Sequence, residues 1–274
     1  MLDWLYSLFG TIIRFIYYNM GQNFGVALII FTVFIKLIIL PLGIKQQRSM
    51  MHMQKLQPKL SELQRKYAND KDKLGRETME LYRKYNVSPF GGCLPMIIQL
   101  VILLVMVQIV YRPGTHVMGI EGLGRDLTEQ INAAKNAGMN FQFLWWNLAE
   151  KPAFSFMPTA QQLLTWVLPI LATVATYFSG VLTQKIQGTK PSQSTGANQG
   201  ADAAQQMSKS MTTMMPLMTL FFTFTLPASA SLYWFISTVT QMLQQVFVSK
   251  AIKIEVEEEG GSYHDKHNKK RKKH

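Results

Sequence analysis

Lys36 stands in FTVFIKLIILPLGIKQQ, residues 31–47, inside a run from Phe24 to Ile44 that carries no other charge. A lone ammonium in such a run has two uses: it attracts an anionic group inside a wet cavity, or it snorkels to the membrane surface. At about 1.5 Å of rise per helical residue, Lys36 lies about 12 Å from Ile44, the expected inner end of the run. A lysine stem covers about half of that distance. Left in lipid, the charge costs about 2.5–3.5 kcal/mol, and cavity water removes most of that cost. Other reactive residues offer less. The five histidines are scattered, with His264, His267 and His274 in a charged tail, and the single cysteine, Cys93, fits no metal spacing and has no disulfide partner within the chain. GxxxxGK[ST], HExxH and GxSxG are all missing. The expectation is a protein that is not an enzyme, with no metal and no cofactor.

The elements that position Lys36 are read from hydropathy. Hydrophobic residues make up 48% of the chain and charged ones 16%, below the roughly one quarter charged of soluble chains. The apolar residues gather in five runs, and a span needs about 17–25 residues. An all-α polytopic membrane protein follows, with five transmembrane helices at 23–44, 94–111, 163–183, 211–226 and 228–248, and Pro227 marking the turn between the last two. The Lys45 to Cys93 segment holds eleven basic and five acidic residues, whereas Arg112 to Gln162 holds four of each. By the bias of basic residues towards the cytoplasm, the N-terminus is outside and the C-terminus cytoplasmic.

Between the spans, residues 45–93 read as a cytoplasmic helical hairpin. Leu56, Leu60, Leu63 and Tyr67, then Leu74, Thr78, Leu81 and Tyr85, recur at helical spacing around Ala68-Asn69-Asp70. Arms of about two heptads are short for a coiled coil, so the pair is expected to be mobile. Met50, Met51 and Met53 at its root are adaptable apolar side chains suited to client capture, or to covering the end of the bundle. Residues 184–210 are polar and aperiodic, as in a disordered loop. The basic cytoplasmic tail, 249–274, ends in Lys269, Lys270, Arg271, Lys272 and Lys273, a ligand for ribosomal RNA or anionic lipid or a solvated run without a role.

Residues 1–22 lack a small-residue cleavage site and read as a retained amphipathic helix in the outer interface, with Leu5, Leu8, Phe9, Ile12 and Ile16 on one face. The extracellular loop, 112–162, contains Phe141, Phe143, Trp145, Trp146, Phe154 and Phe156, as in an interfacial aromatic belt.

Four segments together resemble a known family. SPFGGCLPMIIQLVI (88–102), LQPKLSELQRKY (56–67), LYRKYNVSP (81–89) and LPASASLYWFISTVTQMLQQ (226–245) are similar, in this order, to signature segments of the YidC membrane protein insertases, relatives of the Oxa and Albino proteins. The resemblance covers about Gly25 to Lys250. It implies a five-span bundle around a hydrophilic groove open to cytoplasm and lipid but closed outside, along which a client helix slides. In that groove the family carries a positive residue, normally arginine, where this chain has Lys36, which is a departure. By the same similarity Thr32, Trp234, Tyr233 and Gln184 belong to the client-binding groove. The large periplasmic domain of Gram-negative members and the lipoprotein cysteine of many Gram-positive ones are not found in this sequence, so a short Gram-positive-like form is expected.

The implied partners are nascent membrane proteins, the ribosome, anionic lipids and, as a candidate, the Sec translocon, at the bacterial plasma membrane. Partitioning of a client helix yields about 0.3–0.6 kcal/mol per apolar residue, so no nucleotide is required. A polar tail opposes insertion with a few kcal/mol per charge, which a wet groove with Lys36 reduces. Two other classes compete. A small ion-coupled transporter predicts inverted repeats with paired broken helices, and the sequence has no such symmetry. A passive assembly scaffold is compatible with the same composition.

Overall fold

The computed structural model describes residues 3–85, 94–152, 159–186 and 214–271. Cys93, Phe154, Phe156 and most of the 184–210 loop lie outside the described residues. In chain order the helices are α1 (Asp3–Asn19), α2 (Phe24–Lys66), α3 (Lys71–Lys84), α4 (Leu94–Tyr111), α5 (Pro113–His116), α6 (Leu127–Asn136), α7 (Ala160–Ile186), α8 (Met214–Thr225) and α9 (Ala228–Arg271). A two-residue strand pair, β1 (Gln142–Phe143) and β2 (Trp146–Asn147), interrupts them.

Helix α2 starts where the Asn23 side chain accepts the Val26 amide at 3.2 Å, filling one of the bonds that a first turn leaves open. It continues through Pro41 and Pro58 to Lys66. The first apolar run and the first arm of the charged segment are therefore one rod, with no break at residue 44. Each proline removes a backbone donor and crowds the carbonyl one turn back, and good helix formers flank both. The chain turns at Tyr67, and Asp70 caps α3 by accepting the Lys73 amide at 3.0 Å. No residue of α3 is buried. Of the α2 repeat, Leu56 alone is buried. The two arms also meet where the Lys59 ammonium donates to the Tyr85 hydroxyl.

Among the described residues two helices are long and apolar enough to cross a membrane, at Phe24–Ser49 and Gln162–Ile186, and shorter apolar helices run at Ile97–Tyr111 and Met214–Thr225. Their outer faces are bare: Phe34, Leu37, Ile38, Leu100, Leu104, Leu171, Val174, Phe178, Leu217 and Phe221 are all exposed, as is Phe247 on α9. A belt of this kind is far larger than the patches soluble monomers tolerate. Helix α9 packs on both α7 and α2. Pro227 separates α8 from α9, and the Ser231 hydroxyl bonds the Thr223 carbonyl at 3.1 Å across that corner. Beyond residue 248 α9 stays helical to Arg271.

A cap of helices and loop covers one end of the bundle. Phe9 meets Phe31 edge-on at 5.2 Å, and Gly10 is placed so close to the His116 carbonyl that a Cβ has no room. The buried side of α1 runs through Ile13, Ile16 and Tyr17, while Trp4, Leu8 and Phe15 stay exposed. Leu8 thus departs from the apolar face on which periodicity groups it, because α1 offers apolar residues on two sides and the cap takes only one. Gln130, fully buried, bonds Thr115 and the Gly124 carbonyl. Phe141 and Trp146 are core residues of this cap, and only Trp145 of the tryptophan pair is exposed. The cap is fastened to the bundle: the Ala228 and Ser229 amides, otherwise unpaired at the start of α9, donate to the Glu150 and Leu148 carbonyls at 2.8 and 3.0 Å. Trp146 Nε1 bonds the Leu164 carbonyl of α7 at 2.8 Å.

Candidate functional site

At the end of the bundle away from this cap, α2, α4, α7 and α9 diverge around a cavity of about 150 Å³, room for several waters. Its walls divide by chemistry. Ile39, Ile98, Ile102 and Ile186 supply apolar surface, and Gln46, Gln47, Gln99, Thr183, Gln241, Gln244 and Gln245 supply amides and a hydroxyl. Lys36 brings the single formal charge. Its ammonium donates to Gln99 Oε1 at 2.9 Å and, more weakly, to Gln241 Oε1 at 3.4 Å. No aspartate or glutamate occurs in any of the five apolar runs. Among the described residues the lysine is therefore held by neutral dipoles, with no carboxylate bonded to it.

Helical spacing builds this polar wall. Gln241, Gln244 and Gln245 fall at i, i+3 and i+4 and share one face of α9. Their contacts tie three helices together. Gln47 Nε2 donates to the Gln245 carbonyl at 3.1 Å, and Thr183 Oγ1 donates to Gln245 Oε1 at 3.1 Å. The amide end of Gln244 lies against Gly43, so an added Cβ there would push that side chain aside.

The residues singled out from sequence distribute unevenly. Lys36 and Met51 line the cavity. Met50 and Met53 lie on the same stretch of α2, their side chains outside the described residues. Thr32 is buried one turn before Lys36, its hydroxyl donating to the Leu28 carbonyl at 2.6 Å. Tyr233 is also buried; Gln99 and Ser237 approach its hydroxyl, yet neither contact reaches hydrogen-bond geometry. Trp234 Nε1 donates to Thr176 Oγ1 at 3.1 Å, joining α9 to α7. Gln184 is half-buried on α7 beside Thr183, and it is Thr183 that reaches the cavity. Lys269, Lys270 and Arg271 end α9 with side chains outside the described residues, and Lys272 and Lys273 lie beyond them. Sequence reasoning missed the glutamine wall, although its i, i+3, i+4 pattern on α9 was a readable signal.

Residues 15–256 match the family described as 60Kd inner membrane protein. A membrane protein insertase YidC of Fusobacterium nucleatum is 33% identical over 252 residues, 91% of this chain and 98% of that protein. The chain belongs to the YidC family. Further YidC insertases are similar at comparable levels: that of Caldanaerobacter subterraneus is 33% identical over 89% of this chain and 93% of its own, and that of Clostridium acetobutylicum 34% over 95% and 88%. As a YidC-family member the chain is an all-α protein of the bacterial plasma membrane, which accounts for the bare apolar belt. The groove-like cavity lies within the matched residues.

Proposed function

We propose that this chain inserts client transmembrane segments into the bilayer through the Lys36 cavity, without nucleotide hydrolysis. One observation carries the reading: the single charge of the apolar runs lines a cavity walled by neutral amides, with no carboxylate among the described residues that line it. A client's apolar helix gains free energy by entering lipid, and the barrier is the transfer of its polar tail. A hydrated cavity shortens that transfer, and Lys36 attracts an acidic tail where bulk water is scarce. The cap, with its carbonyls on the first turn of α9, is then the outer floor of a groove open inward.

In this reading five helices span, the N-terminus is outside, and α3 with the second half of α2 forms a cytoplasmic hairpin. Met51 and its neighbours meet the incoming client, which then lies along Thr32, Tyr233, Trp234 and Gln184. The basic tail contacts the ribosome or anionic lipid, and the Sec translocon is a candidate partner. Purified protein in sealed vesicles tests the proposal against the transporter and scaffold readings. Insertion of a short single-span client without ATP, measured by protease protection, is the expected result. Solute flux without client insertion, or neither activity, overturns it.

A further inference from the structure

Lys36 is held by the amide oxygen of a glutamine on a neighbouring helix. Gln99 stands in the second turn of α4, opposite Lys36 of α2, and is half-buried. An ammonium only donates, so the Gln99 oxygen must face Lys36, as the 2.9 Å contact requires. That leaves the amide nitrogen for the rest of the pocket, where Gln99 and Ser237 both lie near the buried Tyr233 hydroxyl without reaching hydrogen-bond geometry. Tyr233 is 4% exposed and anchored in the core. Gln241 is the weaker second acceptor at 3.4 Å.

We infer that Gln99 is a positioning residue that fixes the Lys36 ammonium at the cavity wall, uncancelled and pointed at the path of the client tail, and so sets the preference for acidic over neutral or basic tails. This deepens the proposed function and rests on it. The choice of a neutral amide matters. A glutamate at 99 would accept the same hydrogen bond but form a charge-assisted pair with Lys36, removing the field that a client senses. An apolar side chain of equal length would leave the ammonium with only its weak contact to Gln241 and free it to turn towards the cytoplasmic mouth.

The test compares two single-span clients that differ only in tail charge, one with two aspartates and one with two asparagines, inserted by full-length protein in vesicles. The readout is the ratio of their insertion rates. Gln99→Glu is expected to lower the ratio about tenfold and Gln99→Met about threefold, beyond any loss that the two clients share. Lys36→Ala is run alongside. If Lys36→Ala lowers the ratio while both Gln99 variants leave it unchanged, the positioning role is overturned and the groove mechanism stands. If the Gln99 variants lower it and Lys36→Ala does not, Gln99 acts by some other route and the inference also fails. If none of the three changes it, both the inference and the role given to Lys36 fall. Should Gln99→Glu not accumulate in the membrane, Gln99→Met alone decides, because it adds no charge; a native ratio there refutes the inference.

Discussion

Replacing Lys36 separates stability from activity in a way few core substitutions do. Among the described residues the ammonium is bonded to two glutamine oxygens, at 2.9 and 3.4 Å, so Lys36→Ala leaves neutral amides that cavity water satisfies and no charge without a counterion. Removing an intramembrane charge relieves about 2.5–3.5 kcal/mol of insertion cost before cavity hydration is counted. The variant should therefore be as stable as the native protein or more so. Its activity should behave oppositely. A client carboxylate about 4 Å from the ammonium is attracted by about 4 kcal/mol at an effective dielectric of 20 and about 1 kcal/mol in bulk water. A wet cavity lies nearer the second limit, so the loss for acidic-tailed clients should be about tenfold, equivalent to about 1.4 kcal/mol. Lys36→Arg keeps the charge and should keep most activity, whereas Lys36→Glu sets like charges together and should be the slowest. The assay is protease protection of an acidic-tailed client in vesicles, alongside thermal melting of each variant. Native activity in Lys36→Ala, or a loss of activity matched by a loss of stability, refutes the reasoning.

Three other outcomes are expected. Leu60→Ser with Leu81→Ser should slow client insertion about threefold without moving the melting temperature of the bundle, since the arms of the hairpin have few buried contacts to lose; unchanged kinetics argue against a capture role. Deleting residues 268–274 removes five of the eight basic residues of the tail and should weaken ribosome binding with a shallower salt dependence, as fewer phosphates are neutralised; equal salt slopes refute it. At the cap, burial and the nearby Arg112 hold the His116 imidazole below its ordinary value of 6.5 against a smaller opposing pull from Asp3, and its buried Nε2 has no partner among the described residues. The fold thus favours neutral His116, so its contribution is whole above pH 6.5 and lost as pH falls from there through the depressed value. Fluorescence of Trp4 should report looser docking of α1 at pH 5 than at pH 7.5, and His116→Gln should flatten that difference; an identical slope in the variant excludes this histidine.

The sequence made the long elements readable because their signal is one-dimensional. An apolar run marks a span, and Pro227 marks the corner between α8 and α9. Lys36 was visible because a charge among isoleucines and leucines has few explanations. The continuity of α2 past residue 44 was less visible, since a change from apolar to charged composition looks like a boundary even when the backbone does not break. Gln99 and Gln241 were overlooked for a related reason. A neutral amide barely disturbs the hydropathy of a span, and its meaning appears only when α2, α4 and α9 bring three distant residues together. The cap is less accessible still: Tyr17 donates to the Gly138 carbonyl and accepts the Asn140 amide, contacts between segments that no local pattern links. Trp146 illustrates the cost of reading composition alone, because an aromatic suited to the membrane interface is here spent on packing and on a bond to Leu164.

The central claim is that a client's polar tail passes through the Lys36 cavity. Photocrosslinking from a probe at Gln241, on the cavity wall, compared with one at Leu104, exposed on the apolar belt, tests it most directly. With a client arrested part-way into the membrane, the probe at 241 is predicted to capture tail residues and the probe at 104 to capture none. Capture of the tail at 104 with none at 241 would contradict the account.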